Sequence, residues 1–345
     1  GQGTLVPVQR TMREFNVNIP VSGLKQNATA VKGHLALNNL RVNDGYFSVP
    51  KAYTLPWERS AQLLRGKDVT LLWKEGEESE PEGYPEGAIF IYTLEDLQKI
   101  TYDPDFPYDG YYVLMNDIDA SDTVNWNGGK GFRSIGMVTP PGFAGTFDGQ
   151  HYSISNLYIN TLDELNGGLF GSVSGEVKNL RVENVDITSY GSVGALARGI
   201  SHFATNCHTS GIVRGYHAVG GLIGINPTTH LENKIENCSS TCDIVPMIEE
   251  GGSYPDQMGG LIGMSSATII NCFSRGRVTS FAYKCGGLVG WLNGGEIVDS
   301  FAATVVPSDP FLEDDIGGLV GLNNGTITNS YYDSEVSGFD DTGKG

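Results

Sequence analysis

The sequence predicts an all-β chain dominated by a β-solenoid, a β-helix of the right-handed type, and three observations carry that expectation. Glycine is in excess, at 47 of 345 residues. It recurs at a regular interval inside a Gly-Leu-apolar-Gly pattern. Between the recurrences lie short runs of alternating apolar and polar residues, as in half-buried strands. Collagen is excluded, because the glycines follow no every-third-residue period and prolines number only 15.

Composition divides the chain. Residues 1–74 carry 10 basic and 4 acidic side chains, and residues 75–86 (EGEESEPEGYPE) carry six glutamates and no base. Residues 87–345 hold 12 bases, 30 acids and 39 of the glycines, a net charge of −18. The runs FNVNIPV (15–21), ATAVKGHLALNNLRV (28–42), YFSVP (46–50) and DVTLLW (68–73) predict a small antiparallel β-sandwich over 1–74. A glutamate run with two prolines cannot pack a core, so 75–86 is expected to be an acidic linker or loop. The solenoid is expected over 87–345.

Taken in order, its first element is a short capping helix near 93–101. Leu94, Leu97 and Ile100 share one helical face, Thr93 suits the N-cap, and Glu95 and Asp96 complement the positive helix end. Such a helix covers the unpaired strand edge at the end of a coil. YYVLMNDIDA (111–120), an insertion around Trp126 and FAGTFDGQHYSISNLYI (143–159) supply the first rungs. The repeats follow as GGLFG at 167–171, VGALA at 193–197, GGLIG at 220–224 and 259–263, and GGLVG at 286–290 and 317–321. The stretch from each start to the next suits one circuit of a coil, with the longest between Gly220 and Gly259. The polar tail SYYDSEVSGFDDTGKG is expected to fray after a last strand near Tyr331.

A second position keeps phase with the glycines. Asn179, Asn206, Asn271, Asp299 and Asn329 follow their repeat starts at a nearly constant offset, and Asn237 follows at a longer one. Together with Asn156 in the lead-in they predict a structural ladder, each amide bonding to the backbone and to the same residue one rung away. The glycine pair is expected either to take positive φ or to let backbones approach closely. Cys207, Cys238 and Cys272 follow the Asn directly, where Leu180, Ser300 and Ser330 stand in other repeats, so a core column of buried free thiols is expected. Five cysteines form neither a disulfide scaffold nor a CxxC metal site.

Leu169–Gly171, Leu222–Gly224, Leu261–Gly263, Leu288–Gly290 and Leu319–Gly321 resemble the GLUG repeat, and the second unit departs from it as ALA. The lead-in segments TLEDLQKI, NDIDA, SIG and GTFDGQHYSISNL extend the resemblance over residues 88–334. It implies a bacterial surface or secreted protein, such as an adhesin or the non-catalytic part of an immunoglobulin A protease. The HExxH motif of those proteases is missing from this sequence, so proteolysis is not implied. Residues 1–74 look like the sandwich modules of gut-bacterial surface lipoproteins and fimbrial subunits.

The acidic balance argues against nucleic acid as a partner, since phosphate recognition needs a basic patch. No long apolar run predicts a transmembrane segment, and the start GQGTLVPVQR lacks the features of a secretory signal peptide. Asp117, Asp119 and Asp148 are the paired carboxylates that glycan cleavage would require, and turn bonding is their structural alternative. Glu313, Asp314 and Asp315 offer at most weak structural calcium binding, and no other cofactor is expected. His202, His208 and His217 surround Cys207 in sequence but fall on different sides of a coil. No nucleophile-base set, Walker loop or Rossmann loop occurs.

The surface feature that invites a ligand is aromatic. Tyr190, Tyr216, Tyr254, Phe281, Tyr283 and Phe311 precede successive glycine pairs, and a row of them would stack on sugars, anchor a protein partner, or fold over the corner to cover the core. Phe203 and Trp291 admit the same alternatives. The long interval after Gly220 inserts PMIEEGGSYPDQM, a further loop beside this row. The expected function is a non-enzymatic, adhesin-like protein, extracellular or on the outer cell surface after removal of a signal peptide. It would bind a glycan or a host or matrix protein through the solenoid face, as a monomer or part of a surface assembly. A glycan-active β-helix enzyme and a structural spacer are the alternatives.

Overall fold

The computed structural model describes residues 83–137, 142–162, 167–227, 233–247, 255–279, 282–307 and 315–339, with strand backbones between Asn16 and Leu72. The chain divides into two units, Gly1–Tyr84 and Pro85–Gly345. In the first, Asn16–Ile19, Val69–Leu72, Asn39–Val42 and Gly45–Ser48 pair in that order as an antiparallel sheet. His34–Ala36 pairs antiparallel with Thr54–Pro56. Most of the acidic segment 75–86 lies outside the described residues.

The second unit is an all-β solenoid of the right-handed type, its strands stacked in parallel. One rung shows the plan. Ile223–Asn226 leads into Lys234–Glu236, which bends at Asn237 into Ser239–Pro246 and returns through Asp256–Gly259. Stacking makes three sheets. Sheet 1 contains the long segments Glu176–Ser189 and Phe203–Gly215 and the bent pairs that follow. Sheet 2 runs from Phe170–Val173 to Val320–Asn323, and sheet 3 from Ser192–Gly194 to Ile316–Gly317.

Alternation decides which side chains enter. In Glu176–Ser189 the residues Val177, Leu180, Val182, Val185 and Ile187 are buried. The parallel register then stacks like on like, so that Val177, Ala204, Ile235, Ile269, Ile297 and Ile327 form one column through six rungs. No single rung could enclose such a core, and each neighbour completes it. The motif leucines Leu169, Leu196, Leu222, Leu261, Leu288 and Leu319 are all buried. Their backbones link rungs directly: Leu222 N–H donates to Leu261 O at 2.9 Å, and Leu261 N–H to Leu288 O at 2.9 Å.

The glycine pairs serve close approach. Gly259, Gly260, Gly286 and Gly287 stay outside the left-handed region. A Cβ added to Gly260 would overlap the carbonyl oxygen of Gly287, and one on Gly287 would overlap that of Gly318. Register also relocates the second repeat. Gly194 pairs with Gly220, and Leu196 N–H donates to Leu222 O, so the unit reads GALAR at 194–198 and not VGALA at 193–197. Asn206 then stands at the same offset from Gly194 as Asn179 does from Gly167.

Helix α1, Leu94–Lys99, closes the first rungs. Thr93 Oγ1 accepts the Asp96 N–H at 3.0 Å, and Leu94, Leu97 and Ile100 enter the core. At the far end Tyr331–Tyr332 forms a last strand. The tail does not simply fray after it. Asp333 Oδ1 accepts the N–H groups of Glu335 and Val336, starting a single-turn helix α2, Ser334–Ser337, which Gly338 ends with φ 78°. Tyr332 and Phe339 pack against the core beside it.

Candidate ligand-binding edge

Each sheet 1 segment bends at a residue in the left-handed conformation. Asn179, Asn206, Asn237, Asn271, Asp299 and Asn329 have φ of 53°, 53°, 53°, 50°, 48° and 47°. Asn and Asp tolerate this region better than other side chains. The amide of Asn206 donates to Asn179 Oδ1 at 3.0 Å, that of Asn179 to Asp148 Oδ1 at 3.1 Å, and that of Asn271 to Asn237 Oδ1 at 2.6 Å. Asn156 stands in a different column. Ser155 pairs with Glu183, so Asn156 meets Asn184, whose amide donates to Asn156 Oδ1 at 2.5 Å. Asp148, which pairs in register with Lys178, supplies the acceptor for Asn179 on the rung below.

The paired carboxylates are committed to such bonds. Asp117 Oδ1 accepts the N–H and hydroxyl of Ser153 at 2.8 and 3.0 Å, and Asp148 Oδ1 accepts the Gln150 N–H at 3.0 Å. Asp119 accepts the Asn156 amide at 2.9 Å and the Ser121 N–H at 3.0 Å. The Asn156 bond, foremost, holds the Asp119 carboxyl below the usual carboxylate range. A carboxylate so stabilised is poorly suited to donate a proton near neutrality. Glu313 and Asp314 lie outside the described residues. Among the described residues no three or more His, Cys, Asp or Glu side chains gather to hold a metal.

The three clustered histidines go to three places. His202 lies against Phe203, with ring centres 3.8 Å apart, and His208 Nδ1 is 2.9 Å from Ser239 Oγ. His217 joins the aromatic row. Tyr190 and Tyr216 stack with ring centres 5.5 Å apart and planes within 1°, and His217 stands edge-on to both at 6.5 and 4.8 Å. Parallel register continues His217 into Asp256 and then Tyr283 on the following rungs. Asp256 is held by Lys284 Nζ at 2.7 Å and by Gln257 Nε2 at 2.9 Å, and Lys284 Nζ sits 5.6 Å from the Trp291 ring centre.

The row is therefore mixed in exposure. Tyr190 is 39% and Tyr283 36% exposed, while Tyr216 is 8% exposed and serves as the floor on which Tyr190 stacks. Tyr254, Phe281 and Phe311 lie outside the described residues. His217, Asp256 and Lys284 were not in the sequence-derived row. A signal for the first two was present, because His217, Asp256 and Tyr283 each stand three residues before a glycine pair. The backbone here is strained as well: Ala218, Gln257 and Lys284, each next to one of these residues, have φ of 26°, 65° and 53°. Non-glycine residues held left-handed cost about 1–3 kcal/mol each and cluster at ligand-contacting and other functional sites.

The fold and this edge define a parallel β-solenoid repeat protein with a polar, aromatic margin. No family model matches the chain. Over 166 residues, 40% of the chain, it is 34% identical to halomucin of Haloquadratum walsbyi, in which the match covers 2% of the length. Over 91 residues, 24% of the chain, it is 35% identical to a proposed Gly-rich membrane protein of Evansella cellulosilytica, covering 10% of that protein. The chain thus spans a small part of the length of the curated relatives it matches. A crystal structure of a candidate immunoglobulin A1 protease from Bacteroides ovatus shares the fold, with a TM-score of 0.60 and 22% identity over 72% of this chain and 76% of that one. No helix among the described residues is long and apolar enough to cross a membrane.

Proposed function

We propose that the chain is a non-enzymatic, adhesin-like module of the GLUG-repeat type, from a bacterial surface or secreted protein, that binds a glycan or a host or matrix protein through the Tyr190 edge. The observation that carries this reading is the edge itself: Tyr190 stacked on the buried Tyr216, His217 and Tyr283 exposed alongside, and three strained backbone positions holding the row. Aromatic faces backed by a rigid sheet offer contact area at low entropic cost. The commitment of Asp117, Asp119 and Asp148 to turn and ladder bonds favours binding over glycan cleavage. Extracellular or outer-surface placement belongs to the same proposal.

The test is a screen of the full chain against glycans and host or matrix proteins, repeated with Tyr190→Ala and Tyr283→Ala. Binding lost in both variants, with unchanged far-ultraviolet circular dichroism, supports the edge. Binding retained in both rejects it. Release of new oligosaccharide ends from a polysaccharide panel would move the chain to the enzymes.

A further inference from the structure

The outward face of sheet 1 carries a second line of side chains. Register places Arg181, His208, Ser239, Phe273, Phe301 and Tyr331 in one column on consecutive rungs. At about 4.8 Å per rung the column runs roughly 24 Å. Phe273 and Phe301 stack with ring centres 5.9 Å apart and planes within 4°, and Phe301 and Tyr331 are 37% and 66% exposed. Arg275 lies two residues beyond Phe273, on the same outward face, and is exposed.

Charge indicates what this line is suited to hold. The solenoid has 30 acids for 12 bases, and six of those bases pair with a carboxylate. Lys99, Lys178, Arg214, Lys234, Arg277 and Lys284 each hold a carboxylate. Arg181 and Arg275 are exposed and have no carboxylate at ion-pairing distance among the described residues. The nearby acids are otherwise placed: Asp243 pairs with Arg277 at 3.6 Å, Asp186 pairs with Arg214, and Asp117 accepts Ser153. Glu183 shares the Arg181 strand, and Asp299 flanks Phe301. Two unpaired guanidinium groups on one face of so acidic a chain complement an anion, and their planar forks match carboxylate or sulfate geometry.

The aromatic column is one residue wide, with the polar residues Asn271, Asp299 and Asn329 on one side and Thr241, Arg275 and Ala303 on the other. A protein partner needs a broader apolar centre. A sugar chain is narrow, with apolar ring faces and polar rims. We propose that this column binds an extended anionic polysaccharide, its acidic groups on Arg181 and Arg275 and its sugar rings against Phe273, Phe301 and Tyr331. Burial, with the charges of Arg181 and His151, lowers the His208 pKa, so at neutral pH His208 acts as a hydrogen-bonding group.

The experiment measures retention of the full chain on immobilised polygalacturonate, a sulfated polysaccharide and a neutral glucan. The expected result is binding to polygalacturonate and not to neutral glucan, weakened about tenfold or more by Arg181→Ala with Arg275→Ala and, separately, by Phe301→Ala with Tyr331→Ala. Val124→Ala, at an exposed residue of the Ser121–Gly129 turn that belongs to neither row, should leave it unchanged. Three results would overturn the proposal: no retention on polygalacturonate, equal retention on neutral glucan, or retention that survives either double variant. Binding confined to the sulfated matrix that ignores the aromatic variant would indicate bulk ion exchange and overturn it too.

Discussion

The backbone N–H of Cys272 donates to Ser300 Oγ on the next rung, at 3.1 Å. The same bond joins Ser300 N–H to Ser330 Oγ at 3.1 Å and Cys207 N–H to Cys238 Sγ at 3.4 Å. Each of these residues follows a left-handed Asn or Asp, where the strand bends and its N–H turns from the regular ladder. The acceptor side chain in turn donates to the carbonyl two residues back, as Ser300 does to Val298 O at 2.8 Å and Cys272 to Ile270 O at 3.2 Å. In five of the six rungs the slot after the Asn or Asp thus holds Cys or Ser, a small polar atom that both accepts and donates, and only the first rung fills it with Leu180.

Ser300→Ala removes the acceptor and leaves the buried Cys272 N–H unpaired. A loss of about 1–3 kcal/mol in urea unfolding is expected, whereas Ser300→Cys should lose less than half of that. Equal losses for the two variants would show that packing alone governs the slot.

At Asn206 two effects separate. Asn206→Gly keeps the left-handed backbone and loses only the bond to Asn179, about 0.5–1.5 kcal/mol. Asn206→Ala adds roughly 1–2 kcal/mol for an alanine at φ 53°. Thermal melts should rank wild type above the Gly variant and the Gly variant above the Ala variant.

Two glycines should respond for different reasons. Gly260→Ala drives a methyl into the Gly287 carbonyl and the Thr304 hydroxyl, and destabilisation of about 3 kcal/mol or failure to fold is expected. Gly294→Ala meets nothing within 4 Å and costs only its backbone at φ 79°, about 1–2 kcal/mol. The yield of folded protein and its Tm distinguish them.

The five cysteines are buried and free. Burial pushes the Cys242 and Cys285 thiols up to about 11 and about 12, and those of Cys238 and Cys272 well above the ordinary range. Native protein at pH 8 should resist iodoacetamide, and denatured protein should take up five equivalents. These raised values also set a sign. The unfolded thiols ionise near 8.5 while the folded ones stay protonated, so this contribution to stability is complete below about 8.5 and declines as pH rises toward 11 and 12. Urea midpoints measured from pH 8 to 10.5 check it.

Much of the solenoid was legible in the chain. The cap of α1 needed only Thr93, Asp96 and the Leu94, Leu97, Ile100 face, because a cap is a local bond. The placement of Asn156 with Asn184 was not legible, since the first rungs differ in length and phase counted from the glycines does not reach them. The candidate edge was half visible. Its aromatic residues stood out, but that Tyr216 is floor and Tyr190 surface depends on which rung covers which ring.

By itself the sequence determined that the chain coils, how often, and which residues face inward, because these follow from a period in glycine and a period of two in apolar residues. Only the tertiary structure decided the registers. Phe273, Phe301 and Tyr331 lie far apart along the chain, and the segments joining them differ in length. Their alignment arises from backbone hydrogen bonds between rungs, which count rungs and not residues. For the same reason the glycine pair, for which the sequence left both a turn and a close approach open, proved to be the place where one backbone passes against the next.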